Sequence, residues 1–183
     1  MERSREAGAP VLDTGERSWG DGKAALFLAT VFSVVLVDFV TKWIVQQKFH
    51  LYQQVQVIGD YLRLTFIYNP GAAFGIHLGE YSRPIFLVLS LVALIALMGM
   101  YWATPIRDRV RLMAIAMICA GAIGNLIDRV RSHRGVVDFL DIGVGDLRWP
   151  VFNVADIAVT TGAVFLALSL WREEREDGGL GED

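Results

Sequence analysis

The run Pro84–Trp102, PIFLVLSLVALIALMGMYW, decides the class of this protein. Its 19 residues carry no charge, and Ser90 is the only clearly polar side chain among them. At about 1.5 Å of rise per residue, a helix of this length comes close to the roughly 30 Å hydrocarbon thickness of a bilayer. Proline at its start costs little, because the first helical N–H has no partner in any case. Outward from this run, three more apolar stretches have the same character. Ala24–Val45 carries charge only near its end, at Asp38 and Lys42. Leu112–Ile127 ends in Asn125, Asp128 and Arg129, and Val151–Trp171 contains Asn153 and Asp156. Trp102, Trp149 and Trp171 stand at run ends, as interfacial aromatics do. The expectation is a mainly α membrane protein with four transmembrane helices.

Composition agrees. The chain has 183 residues, 54% hydrophobic and 20% charged, with mean hydropathy +0.41. Soluble domains carry about 45–50% apolar and about 25% charged residues. Disorder throughout, a collagen-like chain and a disulfide-built fold are all excluded. The single cysteine, Cys119, has no partner for an internal bridge and reads as a small buried hydrophobe. The formal charge of −3 lies in the tails: residues 1–22 are net −2, residues 172–183 net −4, and the body is net +3. No basic patch is large enough for nucleic acid. Residues 1–22 lack the basic start, apolar centre and cleavage site of a secretory signal. They read as a polar, disordered tail; residues 23–171 read as one membrane domain, and 172–183 as an acidic tail.

Between the first two spans the period changes. Val55 and Val57, then Leu62, Leu64, Phe66 and Tyr68, alternate with polar residues around Gly59-Asp60. That pattern predicts a β-hairpin or small sheet over about residues 49–76, running into the turn signature Asn69-Pro70-Gly71. Four spans put both termini on one side. Basic residues number seven on each side of the membrane, so charge counting alone leaves orientation open. The compact Arg107–Arg111 cluster in a short loop favours cytoplasmic termini.

A charge inside a spanning helix costs about 2.5–3.5 kcal/mol on insertion scales, so each one needs a reason. Asp38 and Lys42, at i and i+4, share a helix face and form an ion pair in the ordinary structural reading. Asp128 and Arg129, ending the third span, read as a pair that fixes a loop. Asp156 has no basic neighbour in its own helix, and Asn153 lies on the same face, which makes Asp156 a functional candidate. Asp138, Asp141 and Asp146 fall in a polar stretch where a solvated surface carboxylate is the ordinary reading. Composition ranks Asp138 no higher than its neighbours. His50, His77 and His133 are scattered without metal spacing, and there is no GxSxG elbow and no P-loop. The remaining chemistry is carboxylates, amides and one arginine. Two carboxylates sharing a proton in a low-dielectric site can activate water and polarise a carbonyl, the acid–base device for amide hydrolysis.

Five blocks then occur in order: Asp38-Phe39-Val40-Thr41-Lys42; Asn69-Pro70-Gly71-Ala72-Ala73-Phe74-Gly75; Gly121-Ala122-Ile123-Gly124-Asn125-Leu126-Ile127-Asp128-Arg129; Val136-Val137-Asp138-Phe139; and Phe152-Asn153-Val154-Ala155-Asp156. Over about residues 24–171 the chain resembles bacterial lipoprotein signal peptidase (signal peptidase II), an aspartyl protease family of the inner membrane. The resemblance implies that Asp138 and Asp156 are the catalytic pair. It implies that Asn69, Gly121, Asn125, Arg129, Asn153 and Ala155 bind substrate or inhibitor or support the site, and that Asp38, Lys42 and Asp128 are structural. The small sheet would be an extracytoplasmic cradle. The implied substrate is a diacylglyceryl-modified prolipoprotein, cut on the N-terminal side of its lipidated cysteine. Water is the expected nucleophile, with no metal or other cofactor. Membrane lipids and globomycin-type inhibitors are expected ligands, nucleic acid is not, and a monomer is the default expectation. Both termini would be cytoplasmic, with the site near the extracytoplasmic face. Which aspartate holds the proton stays open at this point. The rival reading is a small proton-coupled transporter using Asp38, Asp128 and Asp156 as a relay; a non-catalytic scaffold is the third. Outside the blocks, Arg131-Ser132-His133-Arg134 is more basic than the chemistry requires.

Overall fold

A computed structural model describes residues 15–71 and 79–178. The elements are α1 (Gly15–Lys48), β1 (Gln54–Ile58), β2 (Leu62–Asn69), α2 (Ser82–Ala103), α3 (Arg109–Arg131), β3 (Val136–Val144), β4 (Leu147–Arg148) and α4 (Val154–Gly178), with a 3-10 turn at Gly79–Tyr81 before α2. Four helices have the length and apolar character to cross a membrane: Gly22–Lys48, Ser82–Ala103, Arg109–Arg131 and Val154–Arg175. Helix α1 starts at Gly15, inside the polar stretch that composition reads as a disordered tail.

Helix α3 is the axis of the bundle and packs on α1, α2 and α4. Its apolar window is 44% buried, against 11–17% for the other three, which turn most of their apolar surface outward. In lipid that exposure is expected, because helices associate through close packing rather than exclusion of water. Small residues allow the approach. A Cβ on Gly121 would collide with the Ala155 carbonyl of α4, and one on Gly162 would lie 2.7 Å from the Ala114 carbonyl of α3. One core cluster, Phe27, Leu97, Tyr101, Leu112, Ile115, Ala116 and Cys119, fills the end of the bundle near the termini. Cys119 is buried there, as its apolar run predicts. A second cluster, Val45, Phe66, Val137 and Phe139, joins α1 to the sheet.

The sheet is antiparallel, ordered β1-β2-β3-β4. The hairpin expected around Gly59-Asp60 is present, with Gly59 at φ +48°, where a glycine is favoured. Its larger partner corrects the reading of the stretch after α3. Residues 136–144 form a strand, not a polar loop, and pair with β2 in the register Ile67↔Asp138 and Asn69↔Val136. After β4 the chain returns: Phe139 and Leu140 donate N–H bonds to the Phe152 carbonyl at 3.0 and 2.8 Å, and Phe152 N–H donates to Leu140 O at 3.0 Å. This clamp delivers the start of α4 to the middle of β3. Residues 72–75 of the second sequence block, and His77, lie outside the described residues.

Candidate active site

Strand alternation separates the three aspartates that composition could not. Val137 and Phe139 point into the core beneath the sheet. Val136, Asp138 and Ile142 point the other way and line a cavity of about 1180 Å³. Asp141 falls on the Val137 face, where Thr65 Oγ1 donates to it at 2.8 Å and Arg148 Nε pairs with it at 2.5 Å. Asp146 is exposed at the β3–β4 turn. The solvated-carboxylate reading is thus overturned for Asp138 and Asp141, which are 1% and 4% exposed. Only Asp138 faces the cavity.

Asp156 lines the same cavity from the first turn of α4. Asn153, fully buried, connects the two carboxylates. Its side-chain amide donates to Asp138 Oδ1 at 2.7 Å, and its backbone N–H donates to Asp156 Oδ2 at 3.2 Å. Each remaining oxygen has a donor of its own. Asn69 Nδ2 reaches Asp138 Oδ2 at 2.9 Å from the end of β2, and Asn125 Nδ2 reaches Asp156 Oδ1 at 2.8 Å from α3. Asn69 is held in turn, since its Oδ1 accepts the Gly71 N–H at 3.0 Å. Burial, then the neighbouring Asp156 charge, raises the Asp138 acid to about 7, even with the two amide donors opposing the shift.

Behind the cavity lies a buried charge cluster. Lys42 Nζ sits 2.7 Å from Asp38 and 2.9 Å from Asp128, and donates to Asn125 Oδ1 at 3.1 Å. An ammonium can only donate, so it fixes which end of the Asn125 amide faces it and turns Nδ2 toward Asp156. Asp38 accepts the Ala155 N–H at 2.9 Å, satisfying an unpaired donor at the start of α4. Asp128 accepts the Val137 N–H at 3.2 Å, one residue before Asp138. The predicted Asp38–Lys42 pair is present. The predicted Asp128–Arg129 loop pair is not, because Asp128 turns inward to Lys42.

Arg129 lines the cavity with its guanidinium on backbone carbonyls, Asn125 O at 3.2 Å and Gly71 O at 3.5 Å, and 5.9 Å from the Phe86 ring. It has no carboxylate within ion-pair distance among the described residues. The structure therefore gathers Asn69, Asn125, Arg129, Asp138, Asn153 and Asp156, while Gly121 and Ala155 act from behind, as the close contact between α3 and α4. Phe86, Leu89 and Ala93 of α2 supply an apolar wall, and nothing in their sequence marks them as such. Thr65, Asp141 and Arg148, which lock the sheet, are not marked by the sequence either, because residues 136–142 do not alternate apolar with polar. Among the described residues, no three His, Cys, Asp or Glu side chains gather as a metal site.

Comparison with known proteins points the same way. The family model for signal peptidase (SPase) II matches residues 30–172. The chain is 36% identical to a lipoprotein signal peptidase of Syntrophus aciditrophicus, over 82% of this chain and 95% of the relative. It is 42% identical to one of Treponema denticola, over 79% and 87%. A solved bacterial membrane enzyme structure superposes with TM-score 0.70 at 33% identity, covering 80% of this chain and 88% of the other. With its four membrane-spanning helices and small sheet, this chain belongs to the signal peptidase II family of membrane proteases.

Proposed function

We propose that this protein is an aspartyl endopeptidase of the bacterial inner membrane. It removes the signal peptide from diacylglyceryl-modified prolipoproteins by hydrolysis on the N-terminal side of the lipidated cysteine. The observation that carries the reading is the bridge by Asn153, whose amide and backbone N–H hold Asp138 and Asp156 against one cavity. Burial raises the Asp138 acid to about 7, so Asp138 is the member assigned the proton. Asp156, ringed by N–H donors, is the base.

In this mechanism Asp156 takes a proton from water as the water oxygen adds to the scissile carbonyl carbon. Asp138 donates its proton to the carbonyl oxygen. Collapse of the tetrahedral intermediate returns that proton to Asp138, breaks the C–N bond, and transfers the Asp156 proton to the departing cysteine amine. Arg129 and the asparagines orient the peptide, and the α2 wall receives acyl chains. A lipidated cysteine is confined to the bilayer surface, so a site beside the sheet matches its depth. The sheet end is then extracytoplasmic, the termini cytoplasmic and the working unit a monomer. Globomycin-type inhibitors would lie between the aspartates and the sheet.

The test is cleavage of a diacylglyceryl-modified prolipoprotein by the reconstituted chain, followed by mass. Asp138→Asn and Asp156→Asn, each shown folded by its thermal transition, should lose activity at least about a hundredfold. Cleavage surviving either change removes that residue from the pair. No cleavage by folded wild type returns the intramembrane aspartates to a transport role.

A further inference from the structure

A second concavity runs along α1 and shares no lining residue with the cavity. It is a groove of about 490 Å³ running along α1 from Leu28 to Phe39 and closed by Ile123 of α3, with no polar atom in its walls. Eleven helical steps at about 1.5 Å make it about 16 Å long, close to half of a roughly 30 Å hydrocarbon core. Its walls face outward: Leu28 is 62% exposed and Phe32 68%.

At the sheet-side end of this groove the charge is one-sided. The Arg131 guanidinium lies 5.2 Å from the Phe39 ring, the last residue of the groove, and Arg134 lies 5.5 Å from the Tyr68 ring. Both arginines are exposed, and neither has a carboxylate within ion-pair distance among the described residues. The acid nearest Arg131 in sequence, Asp128, is turned inward to Lys42, and the one nearest Arg134, Asp138, faces the cavity. Arg83 adds positive charge from the α2 side, fixed by its bonds to Arg129 O at 2.7 Å and His133 Nδ1 at 2.8 Å. A guanidinium held within cation–π range of a ring still has N–H donors that can fork to phosphate oxygens.

We propose that this groove and the Arg131–Arg134 pair form a binding site for one anionic phospholipid of the sheet-side leaflet. One acyl chain lies along α1, the phosphate meets Arg131 beside Phe39, and Arg134, three residues further on, adds positive charge to the same loop. The site is independent of the peptidase reading. A diacylglyceryl group would fit the groove but carries no charge for the arginines to meet.

The experiment is native mass spectrometry of the full chain, delipidated in detergent and titrated with phosphatidylglycerol or with phosphatidylcholine of the same chains. Wild type should retain one phosphatidylglycerol at least tenfold more tightly than phosphatidylcholine. Arg131→Gln/Arg134→Gln should lose roughly thirtyfold in phosphatidylglycerol affinity, from about 1 kcal/mol per basic residue near an anionic surface. Leu36→Trp, filling the groove at a 46% exposed position, should weaken both lipids without changing the thermal transition. Glycerol phosphate, the headgroup without chains, should not compete at equal concentration. No headgroup preference in wild type, a preference unchanged in the double variant, or unchanged binding by Leu36→Trp each overturns the site. Mole-for-mole displacement by a diacylglyceryl peptide would overturn it too, assigning the groove to substrate.

Discussion

Burial and the adjacent Asp156 carboxylate raise the Asp138 acid from 3.8 to about 7. Each unit of such a shift corresponds to about 1.36 kcal/mol of linkage between protonation and folding. The folded chain binds this proton more tightly than the unfolded chain does. The stabilisation is therefore fully present below about pH 4 and is lost as pH rises through 7, to a total of roughly 4 kcal/mol. Asparagine at this position has nothing to ionise. It does cost one hydrogen bond, because Asn69 and Asn153 both aim donors at residue 138 and an amide offers only one oxygen; that is about 1 kcal/mol. Asp138→Asn should thus lie within about 1 kcal/mol of wild type at pH 5, where the lost hydrogen bond is offset by the roughly 1.6 kcal/mol that wild type has already lost, and should be up to about 3 kcal/mol more stable at pH 8.5. The assay is denaturant unfolding of both proteins in the same lipid–detergent micelles at the two pH values. A stability difference that is the same at both would refute the assignment of the raised acid to Asp138.

Lys42→Met should destabilise by about 3–5 kcal/mol in the same assay, since it strands the buried Asp38 carboxylate and removes the partner of half-buried Asp128, and adding Asp38→Asn should recover part of the loss. Gly124→Ala places a Cβ 2.6 Å from Asp38 Oδ2; it should lower the thermal transition and reduce activity together, by dislodging the acceptor that holds the start of α4. Arg148→Ala leaves buried Asp141 with Thr65 as its remaining side-chain donor, at a cost of about 3 kcal/mol. Faster hydrogen exchange confined to β2–β3, with the helices unchanged, is its expected signature.

How much of this was legible in sequence varies with the period of each element. Four long apolar runs identify four spans, because a bilayer forces length and hydropathy on any helix that crosses it. The β1–β2 hairpin was legible because it alternates and has a glycine turn. β3 was hidden: Val136-Val137-Asp138-Phe139-Leu140-Asp141 is buried on both faces at its start, so its polar residues break the alternation that marks a half-exposed strand. Reading it as loop is what made Asp138 look like a surface carboxylate. The Asp38–Lys42 pair was visible at i, i+4 spacing within one helix. The turn of Asp128 toward Lys42 was not, since that pairing depends on how α1 packs against α3. Asn153, which ties the site together, is marked in sequence as an amide near Asp156 and, through the resemblance, as a supporting residue, but not as the bridge to Asp138. The Phe152–Leu140 clamp that brings it to Asp138 is a tertiary pairing with no local signal.

The most direct test of the two-aspartate account is a single turnover in H2(18)O, with protein in excess of a diacylglyceryl-modified prolipoprotein. Attack by water held between Asp138 and Asp156 puts one heavy oxygen in the new C-terminal carboxylate of the released signal peptide and leaves the peptides containing Asp138 and Asp156 unlabelled. Heavy oxygen on either aspartate would show an acyl intermediate on that carboxylate, and would contradict the mechanism.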